Sequence, residues 1–180
     1  MAYWMVTLLV WAFMFPGQST RYVLSKGTIF FRSDAPLEII EAQSEQLQGV
    51  IDPATLSFAF SVRNSSFHGF NNPLQQEHFY ENYMETDHYP TTTFSGKILD
   101  PVDLTKEGDY IVRAKGILEL HGIKQERIIK SKLTLKSRHL VASSQFTITL
   151  QDHNISIPRI VYQKIAEQIQ VTVEAEFTLE

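Results

Sequence analysis

The sequence predicts an all-β protein, an extended antiparallel β-barrel of about eight strands with one amphipathic helix inserted near residues 73–86. Most of the chain after residue 20 alternates between apolar and polar residues, which gives a strand one buried face and one solvated face. Short turn signals separate the alternating runs, which is typical of hairpins and not of βαβ crossovers. The runs are long, and closure into a barrel would leave them no exposed edge.

Nine segments carry the strand pattern. The clearest is the last, in which every second residue from Ile169 to Leu179 is apolar. We expect about eight strands from these segments, and which of the first three forms a strand of its own stays open. The segments lie near 22–32, 36–42, 46–51, 55–63, 92–99, 109–120, 123–136, 139–150 and 168–179.

The segment 73–86 follows helix rules instead. Asn72 can cap the helix N-terminus, and Pro73 suits the first helical position. Pro90 disfavours a helical conformation at the preceding residue and ends the segment. At 100° per residue one face is an apolar stripe, made of Phe79, Tyr80, Tyr83 and Met84. Such a helix is either a lid packed over the barrel core, the commoner role of a stripe, or the wall of a ligand cavity.

The first 19 residues are typical of a secretory signal peptide. An apolar run from Tyr3 to Phe15 is too short to span a bilayer as a helix, and Pro16-Gly17 follows it. We expect cleavage after Ser19 and one domain over 20–180; an uncleaved short anchor is the alternative. The processed protein is expected to be periplasmic or secreted, without a stable membrane anchor. The chain has no cysteine, so disulfides and thiolate metal sites are excluded.

Composition and motifs argue against nucleic-acid binding and catalysis. The net charge is −4, so no basic excess is available to neutralise phosphates. The chain has no Gly-x-Ser-x-Gly elbow, no glycine-rich phosphate loop and no His-Glu-x-x-His motif. Its six histidines are scattered without metal-ligand spacing. We therefore predict a protein that is not an enzyme, with no cofactor and no metal site. A buried histidine–carboxylate pair beside a cavity would revive a lipid-modifying enzyme.

The apolar faces suggest a binding role. An eight-stranded barrel is either filled by its side chains or holds one small ligand, and this chain has 12 phenylalanines. Burying hydrocarbon contributes about 0.8 kcal/mol per CH₂. Eight carbons give roughly 6 kcal/mol before ordering costs, which is less than the ~8 kcal/mol of micromolar binding. Without a polar anchor motif, the ligand is therefore expected to be a long chain.

Three segments resemble a known family. They are "TLSFAFSVRNSSFHGFNNPLQQEHFYENYMETDHYPTTTFSGKI", "GDYIVRAKGILELHGI" and "FTITLQDHNISIP". They are similar to the YceI-like family of bacterial polyisoprenoid-binding, lipocalin-like proteins. The resemblance covers roughly residues 22–179. Its most specific part is the helix followed by Tyr89-Pro90 and Phe94-Ser95-Gly96.

The resemblance implies a lipocalin-like barrel with an elongated apolar cavity. It also implies export to the periplasm and non-catalytic binding of a polyprenyl quinone or a related long-chain lipid. The expected cavity-lining residues are Phe58, Phe60, Phe79, Tyr83, Phe94 and Phe146. No motif marks the residues that would contact a lipid head group, although Tyr83, His78 and Tyr110 are available for such contacts. The alternative is an interaction module with a solidly packed barrel whose partner binds outside. A homodimer stays open.

Overall fold

A computed structural model describes residues 20–180, and the predicted signal peptide at 1–19 lies outside these residues. All nine segments form strands, joined in one antiparallel sheet. The largest boundary difference is at the second strand, predicted over 36–42 and observed at 39–44. The strands are β1 (Tyr22–Asp34), β2 (Ile39–Ser44), β3 (Gln48–Ile51), β4 (Ser57–Arg63), β5 (Thr91–Ile98), β6 (Gly108–Leu120), β7 (Ile123–Lys136), β8 (His139–Thr149) and β9 (Gln168–Leu179).

The sheet closes into an eight-stranded barrel, which confirms the predicted fold class. β1 pairs with β9 from Tyr22 to Arg32, so the first and last strands seal the barrel. On its other edge β1 pairs with β2 through one half and with β3 through the other. β2 and β3 therefore share one barrel position as a single interrupted strand. Each of the first three segments therefore forms a strand of its own, and the nine strands occupy eight barrel positions.

The predicted helix is present and shorter than expected. It consists of α1 (Pro73–His78) and a π-helical turn over Phe79–Tyr83, capped by Asn72. The Asn72 side chain accepts a 2.9 Å hydrogen bond from the Gln75 backbone N–H. The helix ends at Tyr83 and not at residue 86, and its last turn is closed by the Met84 N–H, which bonds the Phe79 carbonyl five residues back. Glu85 then takes a positive φ of 44°, which turns the chain away.

Three 3₁₀ turns complete the helical structure of the described residues: Asn64–Ser66, Leu150–His153 and Arg159–Val161. Within residues 20–180, no helix has the length and apolar character needed to cross a bilayer.

The sheet bends tightly where β5 meets β6. Gly96 and Gly116 face each other across these strands. A Cβ atom added at Gly96 would overlap the backbone carbonyl of Lys115 and would lie 2.5 Å from the Gly116 Cα. Glycine is typical of such barrel corners, because only an absent side chain lets two backbones approach so closely. The interior next to this bend is apolar, with Phe58, Phe94 and Val112 close to the axis.

Candidate functional site: an apolar cavity along the barrel axis

The barrel interior contains two adjoining cavities and is not solidly filled. The larger, called here the outer cavity, has a volume of about 400 Å³ and reaches the surface beside α1. The inner cavity, of about 110 Å³, is lined mainly by residues from β3 to β9 and adjoins the outer cavity along the barrel. Five side chains border both cavities and form a waist between them. The waist residues are Ile29, Val62, Thr92, Leu118 and Phe146.

The helix forms a wall of the outer cavity. Phe79 stacks on Phe31 of β1, with ring centroids 5.4 Å apart and planes tilted by 19°. It also contacts the Phe70 ring at 5.1 Å and the Phe67 ring at 5.7 Å. Met84, at the end of the helix, is buried against the same cavity. Of the two interpretations of the aromatic stripe, the cavity wall is therefore the one that the structure adopts.

The opposite wall includes a segment that the alternation pattern does not cover. Val161, Lys164 and Ile165 border the outer cavity from the loop before β9. The Ala166 backbone N–H donates to Ser33 Oγ at 2.8 Å, which fixes this loop to the end of β1. The outer cavity is therefore enclosed by the barrel, the helix and this loop together.

The inner cavity is lined mainly by aromatic and aliphatic side chains. Phe58 contacts Phe94 at 5.0 Å and Phe60 at 5.9 Å between ring centroids. Hydroxyl side chains interrupt this apolar lining, namely Ser61, Thr92, Thr93, Ser131 and Ser144. Ser131 of β7 lies opposite Ser144 of β8, and their hydroxyl oxygens are 2.6 Å apart. This pair largely satisfies its own hydrogen bonds, and the inner cavity is a mainly apolar chamber with a few neutral hydroxyl groups in its wall.

All six residues expected from the sequence border these cavities. Phe58, Phe60 and Phe94 lie at the inner cavity, and Phe79 and Tyr83 at the outer one. Phe146 lies at the waist. That these residues bind a ligand stays a prediction. The sequence reasoning missed Phe31, Phe67 and Phe70. Strand parity was a usable signal for Phe31 on β1, and the position of Phe67 and Phe70 just before the aromatic helix was one for the other two.

Polar groups gather where the outer cavity meets solvent. Exposed Asn72, His78 and Lys164 border it, together with Glu38, which accepts a 2.6 Å hydrogen bond from the Gln75 side chain. Of the three suggested head-group contacts, His78 and Tyr83 border the cavity. Burial raises the pKa of the Tyr83 phenol, so it stays a neutral hydrogen-bonding group. Tyr110 borders neither cavity, because its hydroxyl donates to the Lys106 carbonyl at 2.7 Å.

A histidine–carboxylate pair lies behind the outer cavity. His121 Nε2 is 3.7 Å from Glu85 Oε1, and the His121 ring packs 4.4 Å from the Tyr89 ring. His121 Nδ1 lies 3.1 Å from the carbonyl of His153. None of these four side chains borders either cavity, because Met84 and Leu120 stand between them and the interior. A ligand in the cavity would therefore meet no proton-transfer group from this pair. Residues 20–180 contain no group of three acidic or histidine side chains arranged for a metal ion.

His153 makes stability depend on pH. The side chain is fully buried, and neither ring nitrogen has a partner in hydrogen-bond geometry. Burial lowers the pKa of this imidazole from its ordinary 6.5, and the Arg127 charge lowers it further. The pKa is raised in part by the Leu120 and Ile123 carbonyls and by the Asp152 carboxylate, but the net shift of the pKa is downward.

We expect the free energy of unfolding to fall as the pH drops below about 6.5. Below that pH His153 is protonated in the unfolded chain, whereas in the folded protein its lowered pKa keeps it neutral. This contribution is complete above that pH and is limited to about 1.4 kcal/mol per pH unit. Urea unfolding of wild type and His153→Leu between pH 7 and pH 5 measures it. The variant should show a shallower decline, and equal slopes would contradict the assignment. Titration of carboxylates such as Asp103, with a pKa of about 2, falls well below this window.

The fold and the cavity together define a lipocalin-like antiparallel barrel built around an elongated apolar chamber. A family model described as "YceI-like domain" matches residues 26–177. The chain therefore belongs to the YceI-like family.

Solved structures agree with this assignment at the level of fold. A polyisoprenoid binding domain from Saccharophagus degradans, implicated in plant cell wall breakdown, superposes with a TM-score of 0.74 at 15% identity, covering 88% of this chain and 98% of that one. Burkholderia cenocepacia BcnA gives 0.68 at 15% identity, covering 83% and 95%. The YceI protein of Campylobacter jejuni gives 0.61 at 17% identity, covering 77% and 84%. No curated protein matches the chain.

Proposed function

We propose that this protein binds a long-chain isoprenoid, such as a polyprenyl quinone, or a similar amphiphilic lipid, and stores, shields or carries it without chemical change. The observation that supports this most is the pair of adjoining apolar cavities, about 400 and 110 Å³, which follow the barrel axis through a waist. An elongated, mainly apolar space whose charged lining residues, Glu38 and Lys164, lie at the mouth of the outer cavity matches the shape and polarity of a chain with one head group. The similarity in fold to a polyisoprenoid binding domain supports the same ligand class.

The orientation of the ligand follows from where the polar groups lie. The inner cavity contains no charged side chain, so it suits the hydrocarbon tail. The mouth presents Asn72, His78 and Lys164, which can hydrogen-bond a quinone carbonyl or a similar head group. The tail therefore passes the waist first, and the head group stays at the mouth.

Two rival functions fit the geometry less well. An interaction module with a solid core would leave no chamber of 400 Å³. A lipid-modifying enzyme needs a titratable pair in contact with its substrate, and the His121–Glu85 pair lies behind the cavity wall. Lipid carriage in the periplasm also accords with the predicted signal peptide, and export remains part of this proposal.

Native mass spectrometry of protein purified from its own host without detergent tests the proposal. We expect an adduct that survives desolvation, and organic extraction of the same sample should release a prenyl lipid in near-stoichiometric amount. A sample free of any adduct, which also fails to bind added ubiquinone, would remove the function.

A further inference from the structure

Three loops meet at the mouth of the outer cavity and are joined by hydrogen bonds. The Leu37 backbone N–H donates to the Gln163 carbonyl at 2.9 Å, joining the loop after β1 to the loop before β9. The Asn71 side-chain amide donates to the Ile39 carbonyl at 2.8 Å. The mouth is therefore a continuous surface built from residues 35–40, 70–75 and 159–165.

This surface carries the three most exposed large apolar side chains among residues 20–180, which are Ile160, Leu37 and Tyr162. Ile160 is 91% exposed, Leu37 67%, Tyr162 65% and Leu74 58%. Together with Ile39 these residues form what we call the rim. The other exposed apolar residues on the barrel wall stand between charged neighbours; Ile128, for example, lies opposite Lys115. Exposing several large apolar side chains in one place is typical of a surface that meets another apolar phase.

The rim is continuous with the cavity. Leu74 belongs to both. In the loop before β9, Ile160 and Tyr162 point outward while their neighbours Val161 and Ile165 border the cavity. A lipid tail leaving the cavity would therefore cross an apolar surface before it met water.

The charges beside the rim favour anionic or zwitterionic phosphate head groups. Arg159 and Lys164 flank Ile160 and Tyr162, and neither forms an ion pair with any other residue of the described part of the chain. Of the carboxylates beside these loops, Asp34 is paired with Arg32 at 3.1 Å, and Glu38 forms no ion pair within residues 20–180 but accepts a 2.6 Å hydrogen bond from the Gln75 side chain. The two cations therefore stand against one carboxylate that no cation in these residues neutralises. Apolar side chains flanked by free cations are the usual composition of a segment that lies at the head-group boundary of a bilayer.

We propose that the rim docks on the surface of a phospholipid bilayer, so that the outer cavity opens directly onto the membrane. The inference rests on the proposed function, because a long isoprenoid resides in a bilayer and must enter the protein from there. Ile160, Tyr162, Leu37 and Leu74 enter the boundary between head groups and acyl chains, and Arg159 and Lys164 contact phosphates. Docking removes the aqueous gap that the tail would otherwise cross.

Vesicle flotation tests the proposal. All samples have the same N-terminus, so that the apolar residues 1–19 cannot differ between wild type and variants. The vesicles contain phosphatidylcholine and phosphatidylglycerol, and pure phosphatidylcholine vesicles are tested in parallel. The double variant Ile160→Asp/Tyr162→Asp should lower the partition coefficient at least tenfold. The matched control Ile111→Asp/Ile128→Asp, which changes two wall residues each 59% exposed, should leave it within twofold. The mixed vesicles should bind the protein more tightly than pure phosphatidylcholine.

Binding of a water-soluble short-chain ubiquinone analogue to the same variants separates this proposal from the proposed function. Docking is supported if the rim variant keeps its affinity for the analogue within twofold while losing vesicle binding. It is overturned if both double variants bind vesicles equally, if wild type does not float, or if the rim variant dissociates a dimer detected by analytical ultracentrifugation. Vesicle binding by a protein that takes up no quinone would instead overturn the proposed function and leave the rim as a membrane contact.

Discussion

Replacing Ile29 with tryptophan is expected to remove long-chain ligand from the barrel while the fold is kept. Ile29 lies on β1 and borders both cavities at the waist. An indole at this point closes the passage between the two chambers and fills part of the outer one. Because the added atoms enter existing space, the cost in stability should be smaller than the 1–3 kcal/mol typical of overpacking a dense core.

The expected loss of affinity follows from the hydrocarbon that is displaced. Excluding about four carbons from the inner cavity removes roughly 3 kcal/mol of burial, which corresponds to an affinity loss of about 100-fold. Titration with a fluorescent prenyl lipid, together with the adduct fraction in native mass spectrometry, measures it. A short-chain analogue that fits the outer cavity alone should lose much less.

The control for this substitution is Val141→Trp, on the outward face of β8 and 38% exposed. It adds the same ring outside the barrel and should leave ligand binding unchanged. Leu118→Trp, from β6 on the opposite side of the waist, repeats the test from another strand if Ile29→Trp folds poorly. Undiminished long-chain binding in both folded waist variants would show that the tail does not pass this point.

Gly96→Ala is expected to destabilise the barrel by about 3 kcal/mol or more. The new methyl group would overlap the Lys115 carbonyl, and the nearest neighbours are backbone atoms that cannot rotate away. β5 and β6 would have to separate at their tightest bend, which would break ladder hydrogen bonds on both sides of Gly116. Chemical denaturation followed by circular dichroism measures the loss.

Gly27→Ala in β1 is the matched control. Its added methyl group would lie 3.1 Å from the side-chain ends of Leu24 and Leu47, which can shift by a rotamer adjustment. We expect a change below about 1 kcal/mol there. Equal effects at both glycines would mean that loss of glycine from a strand, and not close backbone approach, sets the cost.

Alternation was enough to predict most of the fold. In residues 168–179 one face of the strand points into the barrel and is apolar, and the other faces solvent and is polar. The strand could therefore be identified from periodicity alone. The break between β2 and β3 could not be predicted in this way. Both fragments keep the alternating pattern, and only their shared partner β1 shows that they occupy one position.

The candidate site was predictable only where strand parity or helix periodicity applies. Phe58, Phe94 and Phe146 belong to regular strands, and parity placed them facing inward. Val161 and Ile165 border the outer cavity from an irregular loop, which carries no periodic signal. The π-helical turn over Phe79–Tyr83 could not be predicted either, because the apolar stripe on the helix is compatible with both α-helical and π-helical turns.

The pairing of β1 with β9 has a consequence for how the chain acquires its structure. The contacts that seal the barrel join residues about 150 positions apart, such as Tyr22 and Leu179. Contacts this distant in sequence form late, so folding is expected to take milliseconds to seconds and to be completed only when the last strand is available. Until then β1 and β9 each expose a row of unpaired backbone groups, which is the kind of edge that can pair with another chain.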